Sequence, residues 1–239
     1  MTTLTIPSRF RGPASSGNGG WTAGALAALL DPVGPVEVTL RVPPPLDVPM
    51  PVSEVDGVLV ATHDGVTVAE ARSTSIEPTA PEPVDAVTAT AAEASYAGLR
   101  NHPFPTCFSC GTGREPGDGL RIFPGPIQTG QQVVAATWVP DPSVAEGADG
   151  RATLAVTWAA LDCAGAWSGY LDSRPVVLGR MAAVVHERPS IGERQVVVGK
   201  TVEVAGRKTL TATALYGADG RLRAAATHVW ITIDPEAFR

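Results

Sequence analysis

Apolar residues occupy nearly every position between residues 152 and 167, in the stretch ATLAVTWAALDCAGAW. The stretch has no proline, and its first glycine is Gly165. A segment of this length that is apolar on almost all faces is typical of a helix buried inside a protein. The pattern therefore predicts a buried central helix in the later part of the chain.

The rest of the pattern predicts a second helix and a series of strands. Trp21–Leu30 is rich in Ala and Leu and ends before Pro32, so we predict a helix there. Other apolar runs predict strands, with Asp-Gly hairpin turns at 64–65 and 219–220. The predicted strands are Val36–Val42, Val52–Thr62, Val66–Ile76, Val133–Val139, Val176–Glu187, Gln195–Val204, Lys208–Tyr216 and Arg221–Ile233.

The same order of elements occurs twice along the chain. In each half a helix is followed by strands that form an antiparallel meander. Trp21–Leu30 corresponds to Leu154–Ala164, and Val36–Val42 corresponds to Arg180–Glu187. We therefore predict an α+β protein that consists of two similar units.

A change of composition predicts where the two units meet. Between Glu77 and Pro105 the chain becomes rich in Pro, Ala, Thr and Glu, as linkers are. We predict a first unit at 1–85, a linker at 86–105 and a second unit at 106–239. Thr90–Leu99 is a candidate short helix in this region.

Composition and charge exclude several classes of function. The hydrophobic content of 44% is enough for a packed core. The net charge is −6 and the 18 basic residues form no stripe with aromatic residues, so we expect no nucleic-acid partner. The apolar run Ala23–Leu30 is too short to span a bilayer, and residues 1–12 contain no apolar signal core. We therefore expect no membrane partner and a cytoplasmic location.

Asp162 is the ionisable acid of the predicted central helix. A buried carboxylate is costly unless it is paired or hydrogen-bonded. One interpretation is that Asp162 hydrogen-bonds a neighbouring backbone or hydroxyl group. The other is that it is a catalytic acid or base with a shifted pKa. The helix pattern alone leaves both open.

A glycine-rich loop, RGPASSGNGG at residues 11–20, precedes the first predicted helix. The N–H groups near Gly19, Gly20 and Trp21 have no partner inside the helix that starts there. They could bind an anion, or a carbonyl oxygen that gains negative charge. Alternatively, the glycines only let this helix pack closely against a neighbour.

The chain has three cysteines, two of which form a CxxC motif at Cys107 and Cys110. His102 adds a third soft ligand, but a structural zinc usually has four. Cys163 falls in the predicted central helix, where a small buried apolar residue is expected. We therefore predict no metal site.

The loop and the acid together resemble hotdog proteins of the acyl-CoA thioesterase-like superfamily. Residues 10–20 resemble the His-Gly-Gly loop of that superfamily, with Asn18 at the position of the His. In one branch an acid follows nine positions after this His, on the central helix. Nine positions after Asn18 stands Ala27, whereas nine positions after Thr153 stands Asp162. The resemblance implies a tandem, or double, hotdog protein: two hotdog units, each an antiparallel sheet wrapped around a central helix, fused as a pseudo-dimer.

The resemblance also implies a function. Hotdog dimers pair the loop of one subunit with the acid of the other, so a fused pair would have one composite site. The N–H groups of Gly19 or Gly20 would hold a thioester carbonyl, and Asp162 would activate water or attack directly. Asn18 would orient the substrate, with Trp21 beside it. A coenzyme A thioester would be the substrate or ligand, with no other cofactor.

Two alternatives to a hydrolase follow from the same fold. One is a non-catalytic acyl-CoA or lipid-binding hotdog protein, which Asn18 in place of His favours. The other is a hydratase or dehydratase, which usually needs an Asp/His pair near the helix start that this chain lacks. One chain would contain a complete site, while its sheet edges and faces would remain available for a homo-oligomer of pseudo-dimers.

Overall fold

The computed structural model describes residues 2–31, 33–127, 132–145, 148–169, 171 and 173–234. Its α-helices are α1 Gly19–Ala28, α2 Ala86–Glu93 and α3 Leu154–Ser168. Its strands are β1 Thr2–Leu4, β2 Val36–Leu40, β3 Met50–Val55, β4 Val58–His63, β5 Val66–Ser73, β6 Gly125–Pro126, β7 Val133–Trp138, β8 Val176–Val185, β9 Gln195–Ala205, β10 Lys208–Tyr216 and β11 Leu222–Thr232. Within these residues, no helix is both long and apolar enough to cross a bilayer.

The strands of both halves form one antiparallel sheet of 11 strands. Their order is β1-β3-β4-β5-β2-β8-β11-β10-β9-β7-β6. The halves join where β2 pairs with β8, with Val38 opposite Met181. β2 and β8 are also the strands that correspond to each other in the sequence repeat. Because α1 and α3 pack against this sheet and against each other, the predicted α+β architecture is confirmed.

One strand prediction is wrong. Val52–Thr62 was predicted as a single strand, but the structure divides it into β3 and β4. Asp56 and Gly57 form the turn between them, with φ of 51° and 77°. An Asp-Gly pair adopts this left-handed backbone readily, and here it reverses the chain inside a valine-rich run.

The segment predicted as a linker contains ordered structure. α2 occupies Ala86–Glu93, earlier than the predicted helix Thr90–Leu99. Asp85 caps it by accepting a hydrogen bond from Thr88 N at 2.9 Å. At its other end, the Glu93 carboxylate accepts hydrogen bonds from the backbone N–H and the hydroxyl of Thr137 on β7. The segment is therefore fixed to the sheet, and the exact domain limits stay a prediction.

The two central helices begin in the same way. The side chain of Asn18 caps α1 by accepting a hydrogen bond from Trp21 N at 2.8 Å. The side chain of Thr153 caps α3 by accepting one from Val156 N at 3.1 Å. Such caps satisfy N–H groups that the first turn of a helix leaves without partners. The two residues therefore occupy equivalent positions in the repeat.

Two glycines on α1 allow it to lie directly against α3. A Cβ on Gly24 would lie 2.7 Å from Cβ of Trp158 and 2.8 Å from Cα of Ala155. A Cβ on Gly20 would lie 2.6 Å from Cβ of Asp162. Neither glycine has a positive φ, so the backbone conformation does not require glycine at these positions. The close approach of α3 does. This contact brings Asp162 to the beginning of α1.

We predict that Gly24→Ala destabilises the protein by about 1–3 kcal/mol, because the added methyl overpacks the contact between the helices. In an open helix the same change would stabilise by about 1 kcal/mol, so the sign of the effect is diagnostic. Gly34→Ala is the matched control, since a Cβ there has no atom within 4 Å. Urea unfolding of both variants measures the difference, and a Gly24→Ala protein as stable as the wild type would contradict the close contact.

Candidate functional site

The carboxylate of Asp162 lies at the junction of the two halves. The residue is 2% exposed on α3. Its Oδ2 accepts hydrogen bonds from Asn18 Nδ2 at 2.9 Å and from Gly20 N at 3.0 Å. Its Oδ1 is buried and has no hydrogen-bond partner among the described residues. The first half therefore holds one carboxylate oxygen of Asp162, while the other oxygen has no such partner among the described residues.

The cap fixes the orientation of the Asn18 amide. Because Oδ1 of Asn18 accepts from Trp21 N, its Nδ2 is left to donate to Asp162. Nδ2 also lies 3.7 Å from Sγ of Cys107. In the structure this amide holds the start of α1 and the Asp162 carboxylate. Asn18 also lines the cavity, and the expected contact of its amide with a substrate stays a prediction. Asn18 is thus placed to position Asp162.

Burial raises the pKa of Asp162 to about 7. The nearby Cys107 thiol adds to the rise, whereas the hydrogen bonds from Gly20 and Asn18 oppose it. The charged and neutral forms are therefore both populated near neutral pH. A carboxylate in this range can accept a proton and release it again, as a general base or acid must.

A cavity of about 260 Å³ adjoins the carboxylate. Both halves line it, and most of its wall is apolar. Asp162 and Asn18 supply polar groups near one another, as in many small-molecule sites. The other lining residues include Pro13, Gly19, Leu40, Pro44, Phe104, Cys163, Leu178 and Trp230.

The predicted site residues Gly19, Gly20 and Trp21 differ in their relation to the cavity. Gly19 lines the cavity, and its N–H has no hydrogen-bond partner among the described residues. The N–H of Gly20 is already bonded to Asp162. Trp21 is not among the residues that line the cavity, and its ring stacks on Phe10 with 4.3 Å between centroids. Of the three predicted backbone donors, Gly19 is the one whose N–H has no hydrogen-bond partner in the described structure.

The equivalent acid position in the first half is apolar. Ala27 stands nine residues after the cap of α1, as Asp162 stands nine residues after the cap of α3. Ala27 is fully buried. Of these two equivalent positions, 27 is therefore apolar and 162 carries the carboxylate.

The structure places Cys163 beside the CxxC motif, which the sequence pattern does not predict. Cys163 Sγ lies 3.6 Å from Cys107 Sγ, and all three thiols are free and buried. The turn that carries Cys107 is attached to the loop before α1, because Phe108 N donates to Arg11 O at 2.8 Å. Hydrogen bonds from the other two thiols lower the pKa of Cys107, while burial raises that of Cys110. No local pattern links residues so far apart along the chain.

Comparison with known proteins identifies the fold. No family model and no curated protein matches the chain. A putative thioesterase II from Thermobifida fusca aligns with a TM-score of 0.61 and 14% identity, over 97% of this chain and 92% of that one. A conserved protein of unknown function with a hot dog fold from Alicyclobacillus acidocaldarius aligns with a TM-score of 0.59 and 13% identity, over 98% and 93%. A tesB protein from Mycobacterium avium subs paratuberculosis gives 0.54 and 14%, over 97% and 91%. At these identities the similarity shows the fold, which confirms the predicted double hotdog architecture.

We predict that Asn18→Ala is less stable than Asn18→Ser by about 1 kcal/mol, because a serine can still cap α1 and an alanine cannot. Both variants lose the amide that donates to Asp162, so their difference isolates the cap. Urea unfolding at neutral pH measures it. Equal stability of the two variants would show that the cap does not contribute.

Proposed function

We propose that this chain is an acyl-CoA thioesterase-like hydrolase with one composite site between its two hotdog units. The observation that carries the proposal is that Asn18 and Gly20 of the first unit hold one oxygen of Asp162 from the second. The other oxygen has no hydrogen-bond partner in the described part of the chain, and it belongs to a side chain that lines a mainly apolar cavity. Two proteins of the same fold, which are described as a tesB protein and a putative thioesterase II, support thioesters as the substrate class.

The N–H of Gly19 supplies electrostatic stabilisation in this proposal. It lines the cavity at the start of α1, where the helix dipole favours negative charge. The thioester carbonyl oxygen accepts a hydrogen bond from this N–H and becomes an oxyanion when the carbonyl carbon is attacked. Because Gly20 holds Asp162, it is not available for this role. One such donor typically contributes about 10²–10³ in rate.

Asp162 supplies the base. Its Oδ1 takes a proton from a water molecule while the water oxygen attacks the thioester carbonyl carbon. The tetrahedral intermediate then collapses, the carbon–sulfur bond breaks, and the proton passes from Asp162 to the departing thiolate. The products are a carboxylic acid and free coenzyme A. Direct attack by Oδ1, which would give an anhydride, is the alternative route through the same atom.

The cavity is suited to a small acyl group. Its volume of about 260 Å³ lies near the lower end of the usual range for ligand pockets. Leu178 and Trp230 on the second unit and Leu40 on the first give it apolar walls. We therefore expect faster hydrolysis of short acyl chains than of long ones.

A second candidate function is binding of acyl-CoA or a lipid without turnover. The observation that favours it is Asn18, whose amide can neither accept nor release a catalytic proton. In that case the carboxylate and the cavity would form a recognition site.

We predict that Asp162→Asn lowers the rate of acyl-CoA hydrolysis by about 10²–10⁴, because it removes the base and leaves the size of the side chain unchanged. The rate is measured with a panel of acyl-CoA thioesters, and thermal melting checks the fold. Asp64→Asn is the matched control, since this carboxylate is 88% exposed in a turn whose φ of 48° suits Asn.

The outcomes of this experiment distinguish hydrolysis by Asp162 from binding without turnover. Equal rates in wild type and a well-folded Asp162→Asn protein would remove Asp162 from the mechanism. No hydrolysis by the wild type, together with saturable acyl-CoA binding by calorimetry, would establish the binding function instead.

A further inference from the structure

The three cysteines of the chain converge on one point beside the cavity. The thiols of Cys107, Cys110 and Cys163 all lie within 4.8 Å of one another, and each residue lines the cavity. Cys107 and Cys110 come from the turn that precedes β6 and β7, and Cys163 comes from α3. The sequence predicts no metal site because Cys107, Cys110 and His102 give three ligands where a structural zinc usually has four. In the structure Cys163 joins the two thiols of the CxxC motif.

We propose that Cys107, Cys110 and Cys163 bind a thiophilic cation of the zinc class, such as Zn²⁺ or Cd²⁺, as three thiolates. In a tetrahedral site with metal–sulfur bonds of about 2.3 Å, neighbouring sulfurs are about 3.8 Å apart. The separation of 3.6 Å between Cys107 and Cys163 is close to this value. It is far longer than a disulfide bond of about 2.05 Å, so the thiols are free to become ligands.

His102 is placed to support this cluster from outside. Its Nε2 lies 3.4 Å from Sγ of Cys110 and 3.1 Å from the carbonyl oxygen of the same residue. Its Nδ1 accepts a hydrogen bond from Phe104 N at 3.0 Å, so the proton is on Nε2. In this tautomer the ring donates toward Cys110 and does not ligate. The site thus has three protein ligands, and its fourth position is left for water or another small ligand from the cavity.

Further N–H donors surround the thiols. Nδ2 of Asn18 lies 3.7 Å from Sγ of Cys107. Nε1 of Trp167 is buried without a hydrogen-bond partner among the described residues, and its ring lies against that of His102, with 5.1 Å between centroids. Donors of this kind orient and stabilise thiolates that hold a metal. An ordinary cluster of apolar cysteines would not explain an indole N–H left without an acceptor.

Metal binding at the three thiols does not depend on the proposed hydrolysis, because its test measures only the binding of Cd²⁺. Reduced, metal-free full-length protein is titrated with Cd²⁺ without oxygen, and the ultraviolet charge-transfer absorption of cadmium thiolates is recorded. A thiol count under denaturing conditions first establishes that all three cysteines are reduced. We expect the absorption to reach its end point at one equivalent, and the melting temperature to rise with Cd²⁺ concentration.

Variants identify the ligands. Cys110→Ser and Cys163→Ser should each remove about a third of the charge-transfer intensity and weaken binding, because one thiolate is lost. His102→Gln is the matched control: it should keep the full intensity at one equivalent, with affinity lower by about 10–100-fold.

If a variant does not fold, the Cd²⁺ titration of the wild type still tests the proposal. No charge-transfer band with excess Cd²⁺ on fully reduced protein would overturn the proposal. An end point that needs many equivalents, with no rise in melting temperature, would overturn it too. Loss of the band in His102→Gln would overturn the assignment of three thiolates as the ligand set.

Discussion

The close contact between α1 and α3 is the constraint on which the site depends. It exists because Gly20 and Gly24 have no Cβ where α3 passes. At that distance a backbone N–H on one helix can reach a carboxylate on the other, as Gly20 reaches Asp162. The contact buries the carboxylate while giving one of its oxygens two donors, which offsets part of the cost of burial. Gly20 and Gly24 therefore confirm the interpretation of close packing, whereas ligand binding at the start of α1 stays a prediction.

The two units have come to differ at equivalent positions. The first has Asn18 and a glycine pair at the start of its helix, and Ala27 where an acid would lie. The second has Thr153 at the equivalent cap and Asp162 at the acid position. The pairing of β2 with β8 fixes the two units in one sheet. In the proposed composite site, each unit would contribute the part that the other lacks.

The sequence predicted features that depend on local pattern. The buried helix followed from its apolar composition, and the meander strands followed from alternation. The turn at Asp56 and Gly57 was missed because it interrupts an apolar run, although an Asp-Gly pair is itself a turn signal. The use of Gly20 N–H by Asp162, and the position of Cys163 beside Cys107, depend on how distant elements pack. No spacing along the chain encodes such contacts, so only the structure could reveal them.

The most direct test of the composite site is a crystal structure with a non-hydrolysable acyl-CoA analogue. The account predicts that the analogue's carbonyl oxygen lies within hydrogen-bond distance of Gly19 N, with its carbonyl carbon facing Oδ1 of Asp162. The acyl group would occupy the cavity between Leu40 and Leu178. An analogue bound elsewhere, with Asp162 still enclosed and Gly19 N–H without a ligand, would contradict the account.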